Sequence, residues 1–195
     1  MTKKITTPLT EKVVRQLKIG NEVLISGKIF TARDAAHKYL FEHKNIPISL
    51  QDSIIYHCGP IIVKKDGKWI VKAAGPTTSI RDELYEWKII SDFGLRGIIG
   101  KGGMGEKTVN ACKTFGCCYF QTIGGAAQLL ASKVVKVQNV YLLEKLGATE
   151  AIWEFEIRDF PAIVTIDTNG NNMHVDIKKR SEEVCFNNII KNNFL

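Results

Sequence analysis

Strands alternating with helices along 195 residues predict an α/β domain with a mixed, partly parallel sheet. Three observations carry that prediction. Short β-branched runs end in glycine or turn residues. Amphipathic runs at helical spacing separate them. Asp66-Gly67 between two apolar runs marks a hairpin, the antiparallel piece. The length suits one domain, with no internal repeat. A chain 45% hydrophobic and 24% charged has an ordinary globular composition, which excludes wholesale disorder, collagen-like repeats and a disulfide-dense miniprotein.

Taken in order, Glu11 to Lys18 carries Val13, Val14 and Leu17 at helical spacing and stops at Ile19-Gly20-Asn21. Val23 to Ser26 reads as a strand, continued by Ile29-Phe30 after a Gly27 turn. Thr31-Ala-Arg-Asp34 resembles a capping box, with Thr31 as N-cap of a helix running to His43. Ser53 to Cys58 is an apolar strand, and Ile61 to Val63 and Trp69 to Ala73 form the hairpin. A cap-rich turn, Gly75 to Ser79, starts a helix to about Ser91, with Ser79 and Asp82 as a second capping box. Strands follow at Gly97 to Ile99 and Cys117 to Thr122, with a helix from Lys107 to Phe115 between them. A small-residue helix is expected from Ala126 to Val134. The last strands are Val137 to Leu142, Ile152 to Ile157 and Ala162 to Ile166. The domain is taken as 1–175, and 176–195 as a polar peripheral tail.

No apolar run approaches the roughly 20 residues a membrane helix needs, and Met1 to Pro8 lacks the core of a secretory signal. Five cysteines, an odd count with no Cys-x-x-Cys pair, read as reduced thiols of a cytoplasmic protein. The net charge of +7 points to an anionic partner. The basic residues are spread along the chain, and Tyr and Trp follow strand or core patterns. A nucleic-acid surface, which wants a basic stripe with exposed aromatics, is disfavoured.

Ligands of such folds collect beyond the carboxyl ends of strands, and four loops there have unusual chemistry. Gly100-Lys-Gly-Gly-Met-Gly105 matches Gly-x-Gly-x-x-Gly between a strand and a helix. It offers backbone N–H groups to an anion. The next strand ends in Gln121-Thr122, without the acid a dinucleotide ribose requires, and a glycine turn needing positive φ is the plain alternative. Gly75-Pro-Thr77-Thr78-Ser79-Ile-Arg81 has more hydroxyls than one cap needs. Its Arg81 opposes the helix dipole unless an anion sits there. Arg33 is misplaced in the same way, with His37 one turn on, although a surface pair with Asp34 would also explain it. At Thr122-Ile-Gly-Gly-Ala-Ala127, close helix–sheet packing is the main explanation. Arg33, Arg81 and Lys101 therefore occupy three loop–helix junctions. If these converge, they form a pocket for a small dianion.

Ordered motifs span most of the first 175 residues: Ile5-Thr-Thr-Pro-Leu-Thr10, Ser26 to His37, Gly75 to Arg81 and Ile99-Gly-Lys-Gly102, then Ile123 to Ala127, Glu150-Ala-Ile-Trp153, Asp159-Phe-Pro161 and Ile166-Asp167. Together they resemble the β subunit of the class I, iron–sulfur fumarate hydratase and L(+)-tartrate dehydratase family. The resemblance implies a swivelling β/β/α three-layer fold and a reversible hydro-lyase interconverting fumarate and malate, with tartrate dehydration as the alternative. It implies a 4Fe-4S cluster held by a partner α subunit, in a dimer or α2β2 assembly. By the same resemblance, Arg33 and Arg81 bind substrate carboxylates, Thr77 is the base and Lys101 contacts substrate. Thr78 and His37 are added as substrate contacts. Asp82-Glu83 departs from the family, where Met and then an acid follow the arginine; the departure would set an acid beside the clamp. A non-catalytic nucleotide- or phosphate-binding module at Gly100 to Gly105 is the rival of a different class.

Overall fold

A computed structural model describes residues 1–186. Its strands are β1 (Lys3–Thr6), β2 (Glu22–Ala32), β3 (Ile54–His57), β4 (Ile61–Lys65), β5 (Lys68–Ala73), β6 (Gly97–Gly100), β7 (Cys118–Gln121), β8 (Val134–Tyr141) and β9 (Ile152–Ile166). The helices are α1 (Glu11–Arg15), α2 (Asp34–Glu42), α3 (Glu83–Phe93), α4 (Glu106–Phe115), α5 (Ala127–Ala131), α6 (Leu143–Leu146) and α7 (Met173–Cys185), with a 3-10 turn at Ser79–Asp82 before α3.

Strands β2, β3, β6 and β7 run parallel, and β9 runs antiparallel to both β7 and β2. The β2–β9 ladder closes the row of strands into a ring. β1 extends it along the first half of β2, and β8 along the first half of β9. The hairpin of β4 and β5 forms as predicted, with Asp66 and Gly67 both at positive φ.

Strand alternation sorts side chains between two cores. Ile54, Tyr56, Ile99, Cys118 and Phe120 point into the ring, where they meet Trp153, Phe155 and Phe160 of β9. Ile55, Ile98 and Tyr119 point out, against Ala36 and Leu40 of α2, Ile89 and Ile90 of α3, and Ala111 and Cys112 of α4. The ring supplies two walls and the helices a third layer, so the β/β/α expectation agrees with the structure.

Several boundaries differ from the sequence reading. Gly27 is a bulge at φ 97° inside a continuous β2 rather than a turn, and the two last predicted strands are one long β9. β1 and α6 were not anticipated, and the helix expected over Ala126 to Val134 ends at Ala131. Thr31 is not an N-cap. It stays in β2, where its hydroxyl accepts from the Trp153 N–H at 3.1 Å, and Arg33 takes the cap position without a side-chain bond. Ser79 is not a cap either, because the Tyr119 hydroxyl donates to it at 2.8 Å. The stretch from Asp176, read as a tail, belongs to α7 through Cys185, and no residue of that helix is buried. The rest of the expected tail, 187–195, lies outside the described residues.

Candidate active site

The four loops sit together at the carboxyl ends of β2, β3, β6 and β7. Backbone bonds knit them. The Thr77 N–H donates to the His57 carbonyl at the end of β3 (2.8 Å), and the Ser79 N–H donates to the Lys101 carbonyl (3.1 Å). Thr78 and Lys101 form a parallel bridge. The Ala74 N–H donates to the Ala127 carbonyl (3.0 Å). The close packing expected of Gly124-Gly125 is not found: both are exposed, a Cβ at either would meet no crowding, and Gly125 takes a positive φ of 83° as a turn residue, while the close approach to Ala127 is made by Gly75.

Arg33 and Arg81 converge on one carboxylate oxygen. Asp34 Oδ2 lies 2.8 Å from Arg81 Nη2 and 3.6 Å from Arg33 Nη2. Arg33 also lies 3.4 Å from Glu150 Oε1, whose second oxygen accepts the Ala35 N–H at 3.0 Å. The Lys101 side chain reaches toward Gly124. Thr77 Oγ1 is buried with no hydrogen-bond partner among the described residues, and Thr78 is exposed. The loop cluster thus holds a cationic clamp and, in the Gly75–Arg81 loop, a buried hydroxyl without a partner among the described residues. Gly59 makes room for the clamp, because a Cβ there would stand 2.5 Å from Arg33 Cδ and 2.8 Å from the Thr149 carbonyl oxygen. Gly59→Ala is expected to lower kcat/KM about tenfold by displacing Arg33, checked by steady-state kinetics on protein of unchanged assembly.

The two acids after Arg81 turn away from the clamp, contrary to expectation. Asp82 is 1% exposed and faces inward. Glu83 accepts from the Gly105 N–H (2.8 Å), the Thr108 N–H (3.2 Å) and the Thr108 hydroxyl (2.7 Å). The start of α4 therefore already holds a carboxylate, and Gly102 and Gly103 take positive φ as turn residues. Among the described residues, those lining the adjoining cavity of about 590 Å³ include Glu106 and Asp176 and no Lys or Arg. Its sign is wrong for a phosphate, so the glycine-loop nucleotide module is not supported.

His37 does not face the clamp either. It is fully buried, and its Nδ1–H donates to the Arg33 carbonyl at 2.9 Å. Its Nε2–H and that of His57 both donate to Glu86 Oε2, at 2.8 and 3.0 Å. Asp82 stands 3.6 Å from Nδ1 of His37 and 3.7 Å from Nδ1 of His57. Burial alone would push the His37 ring down. The Glu86 and Asp82 carboxylates and the Arg33 carbonyl outweigh it and raise His37 to about 9. Burial would likewise push Glu86 up, but the two histidines hold it down at about 2. Asp82 is raised, chiefly by burial. Sequence patterns do not mark His57 and Glu86, and they place Asp82 at a cap or beside the clamp, whereas it faces the two buried rings. The available signal is the i, i+4 spacing of Asp82, in the turn before α3, and Glu86, in the first turn of α3, beneath an inward-pointing strand-end histidine.

His37 is raised above its unfolded value. Its stabilisation is full below about pH 6.5 and is lost as pH rises through about 9. Glu86 is depressed, and its contribution is lost only as pH falls toward about 2. Melting temperature is expected to fall between pH 7 and 9 more steeply in the wild type than in His37→Gln, measured by calorimetry at stepped pH. Parallel curves would remove the His37–Glu86 pair as the cause.

His37, His57 and Glu86 form the one trio of potential metal ligands found among the described residues, with ligand atoms within 4.8 Å of one another. Separations of 2.8 and 3.0 Å to one oxygen are hydrogen-bond lengths. Tetrahedral zinc ligands would stand about 3.4 Å apart. The cysteines do not suit an iron–sulfur cluster. Cys58 and Cys118 belong to the core inside the ring, Cys112 and Cys117 to the helix-facing core, and Cys185 is exposed on α7. Burial pushes the Cys58 thiol up to about 12 and those of Cys117 and Cys118 up as well, against the thiolate form a cluster needs.

The profile of the Fumarase C-terminus family matches residues 2–177. The chain belongs to that family. It is 51% identical over 177 residues to a Geobacillus stearothermophilus protein named "Putative fumarate hydratase class I", spanning 90% of this chain and 34% of that one. It is 37% identical over 181 residues to the L(+)-tartrate dehydratase subunit beta of Escherichia coli K12, spanning 92% of this chain and 90% of that subunit. This family member is thus about a third as long as the first relative and nearly coextensive with the second. The match covers all four loops.

Proposed function

We propose that this Fumarase C-terminus chain is the β subunit of a hydro-lyase that interconverts fumarate and (S)-malate, and that it completes the active site of a cluster-bearing α subunit. The observation that supports the reading is the convergence of Arg33 and Arg81 in the loop cluster that also holds the unpartnered Thr77 hydroxyl. Dehydration removes a proton from the carbon next to one carboxylate and a hydroxyl from its neighbour. Arg33 and Arg81 would exchange Asp34 for a substrate carboxylate, each offering a planar pair of donors. Thr77 would take the proton. A hydroxyl is a weak base, so Arg81 and Lys101 must favour its deprotonated form and stabilise the aci-carboxylate dianion that develops. Thr78, exposed at the same turn, is a further substrate contact; His37 is assigned behind the clamp.

The cluster belongs to the α subunit in this reading, because the thiols here offer no ligand set. Five free cysteines suit a reducing cytoplasm, and no helix among the described residues is long and apolar enough to cross a membrane. The E. coli relative favours a second reading for the same site, L(+)-tartrate dehydration to oxaloacetate. Anaerobic assay of the co-purified subunits with fumarate, malate and L(+)-tartrate separates them. We expect fumarate hydration to dominate; turnover of tartrate alone would transfer the assignment to the dehydratase.

A further inference from the structure

Five buried side-chain polar atoms lack a hydrogen-bond partner among the described residues: Arg33 Nε, His57 Nδ1, Thr77 Oγ1, Asp82 Oδ1 and Glu86 Oε1. All lie in the clamp or directly behind it. An orphaned buried polar group costs about 1–3 kcal/mol, and burying a charge costs more unless it is paired. The fold has an apolar layer around this position, with Ile55, Ile89, Ile98 and Ala36 in it. Apolar side chains there would meet the packing need at lower cost. What the polar set does, and apolar groups could not, is tie three loops together.

The connections run through one carboxylate. The Arg33 carbonyl accepts from both the backbone N–H (2.8 Å) and Nδ1–H (2.9 Å) of His37. His37 Nε2 joins Glu86 Oε2, which joins His57 Nε2. His57 then receives the Thr77 N–H on its own carbonyl at 2.8 Å. Glu86 stands on α3, just after Arg81, and Asp82 of the intervening turn faces the same two rings. The rings meet edge-on, with centroids 4.7 Å apart.

We propose that His37, Glu86 and His57 are positioning residues: the chain Arg33–His37–Glu86–His57–Thr77 holds the carboxylate-binding arginine and the threonine hydroxyl at a fixed separation. The proposal rests on the hydro-lyase reading for its kinetic consequence and on geometry alone for its structural one. In Glu86→Gln the centre of the chain loses its charge while its shape is kept. Small displacements of reacting groups lower the chemical step more than ground-state binding.

Two readouts on the co-purified subunits test it. The first is kinetic. Glu86→Gln is expected to lower kcat about 10- to 100-fold with KM changed less than about threefold, and its effect is expected to be non-additive with Thr77→Ser. His57→Gln, which keeps an N–H donor toward Glu86, should retain more kcat than His57→Leu. Val164→Ala, a cavity inside the ring away from these residues, lowers stability and should leave kcat unchanged. The second readout needs no activity: amide hydrogen exchange at Thr77 should quicken in Glu86→Gln and not in Val164→Ala. Additive effects with Thr77→Ser, equal kcat in the two His57 variants, or unchanged Thr77 exchange would overturn the proposal. If the wild-type complex turns over no dicarboxylate, the hydro-lyase reading fails, and the exchange result still decides the network's part.

Discussion

Thr77→Ala is expected to lower kcat by about 10²- to 10⁴-fold, the usual range for removing a proton-transferring group, with little loss of stability or assembly. The asymmetry follows from the geometry. Thr77 is held through its backbone, by the N–H that donates to His57, and not through its side chain. Its Oγ1 makes no hydrogen bond among the described residues, so alanine breaks none. A hydroxyl that mattered only for folding would be partnered, as that of Thr31 is. Rate and melting temperature are the two measurements. A variant that turns over like the wild type would remove Thr77 from the base role, and a large fall in melting temperature would make its role structural.

Arg33→Ala is expected to cost about a hundredfold or more in kcat/KM, the scale set by losing a charge-assisted, two-pronged contact. Arg33→Lys should recover only part of this, because an ammonium cannot present two parallel donors. The position is tightly specified. Gly59 leaves room for the guanidinium, Glu150 aligns it, and Asp34 holds it against Arg81. Asp34 and Glu150 also keep two nearby cations from repelling each other when no anion lies between them. Steady-state kinetics with malate over a wide concentration range reads the effect. Full restoration by lysine would mean that charge alone, without alignment, is being used.

Local signals found the local structure. Asp66-Gly67 marked its hairpin because a two-residue turn is decided by its own residues. The strands β3, β6 and β7 and the four loops were legible from apolar runs that stop at glycine, proline or polar residues. The ring was not, because closure depends on β2 and β9 pairing across more than a hundred intervening residues. The misread caps have the same cause: the hydroxyls of Thr31 and Ser79 bond to β9 and β7, which propensity cannot see. The clamp's cations were visible as charges placed against helix dipoles. The surroundings that explain them were hidden, since Glu86 reaches His37 and His57 only once α3 packs on the sheet. His37 illustrates the limit. Its spacing from Arg33 is one helical turn, but that turn carries it inward, under the clamp.

The claim that this chain is half of an active site is tested most directly by titration. Purified chain is added anaerobically to a fixed amount of the isolated iron–sulfur partner, and fumarate hydration is followed. Neither component alone should show appreciable turnover. Activity should rise with added chain to a plateau at a fixed ratio, and Thr77→Ala should titrate to the same ratio with a far lower plateau. Full hydratase activity of this chain alone, without iron or partner, would contradict the account.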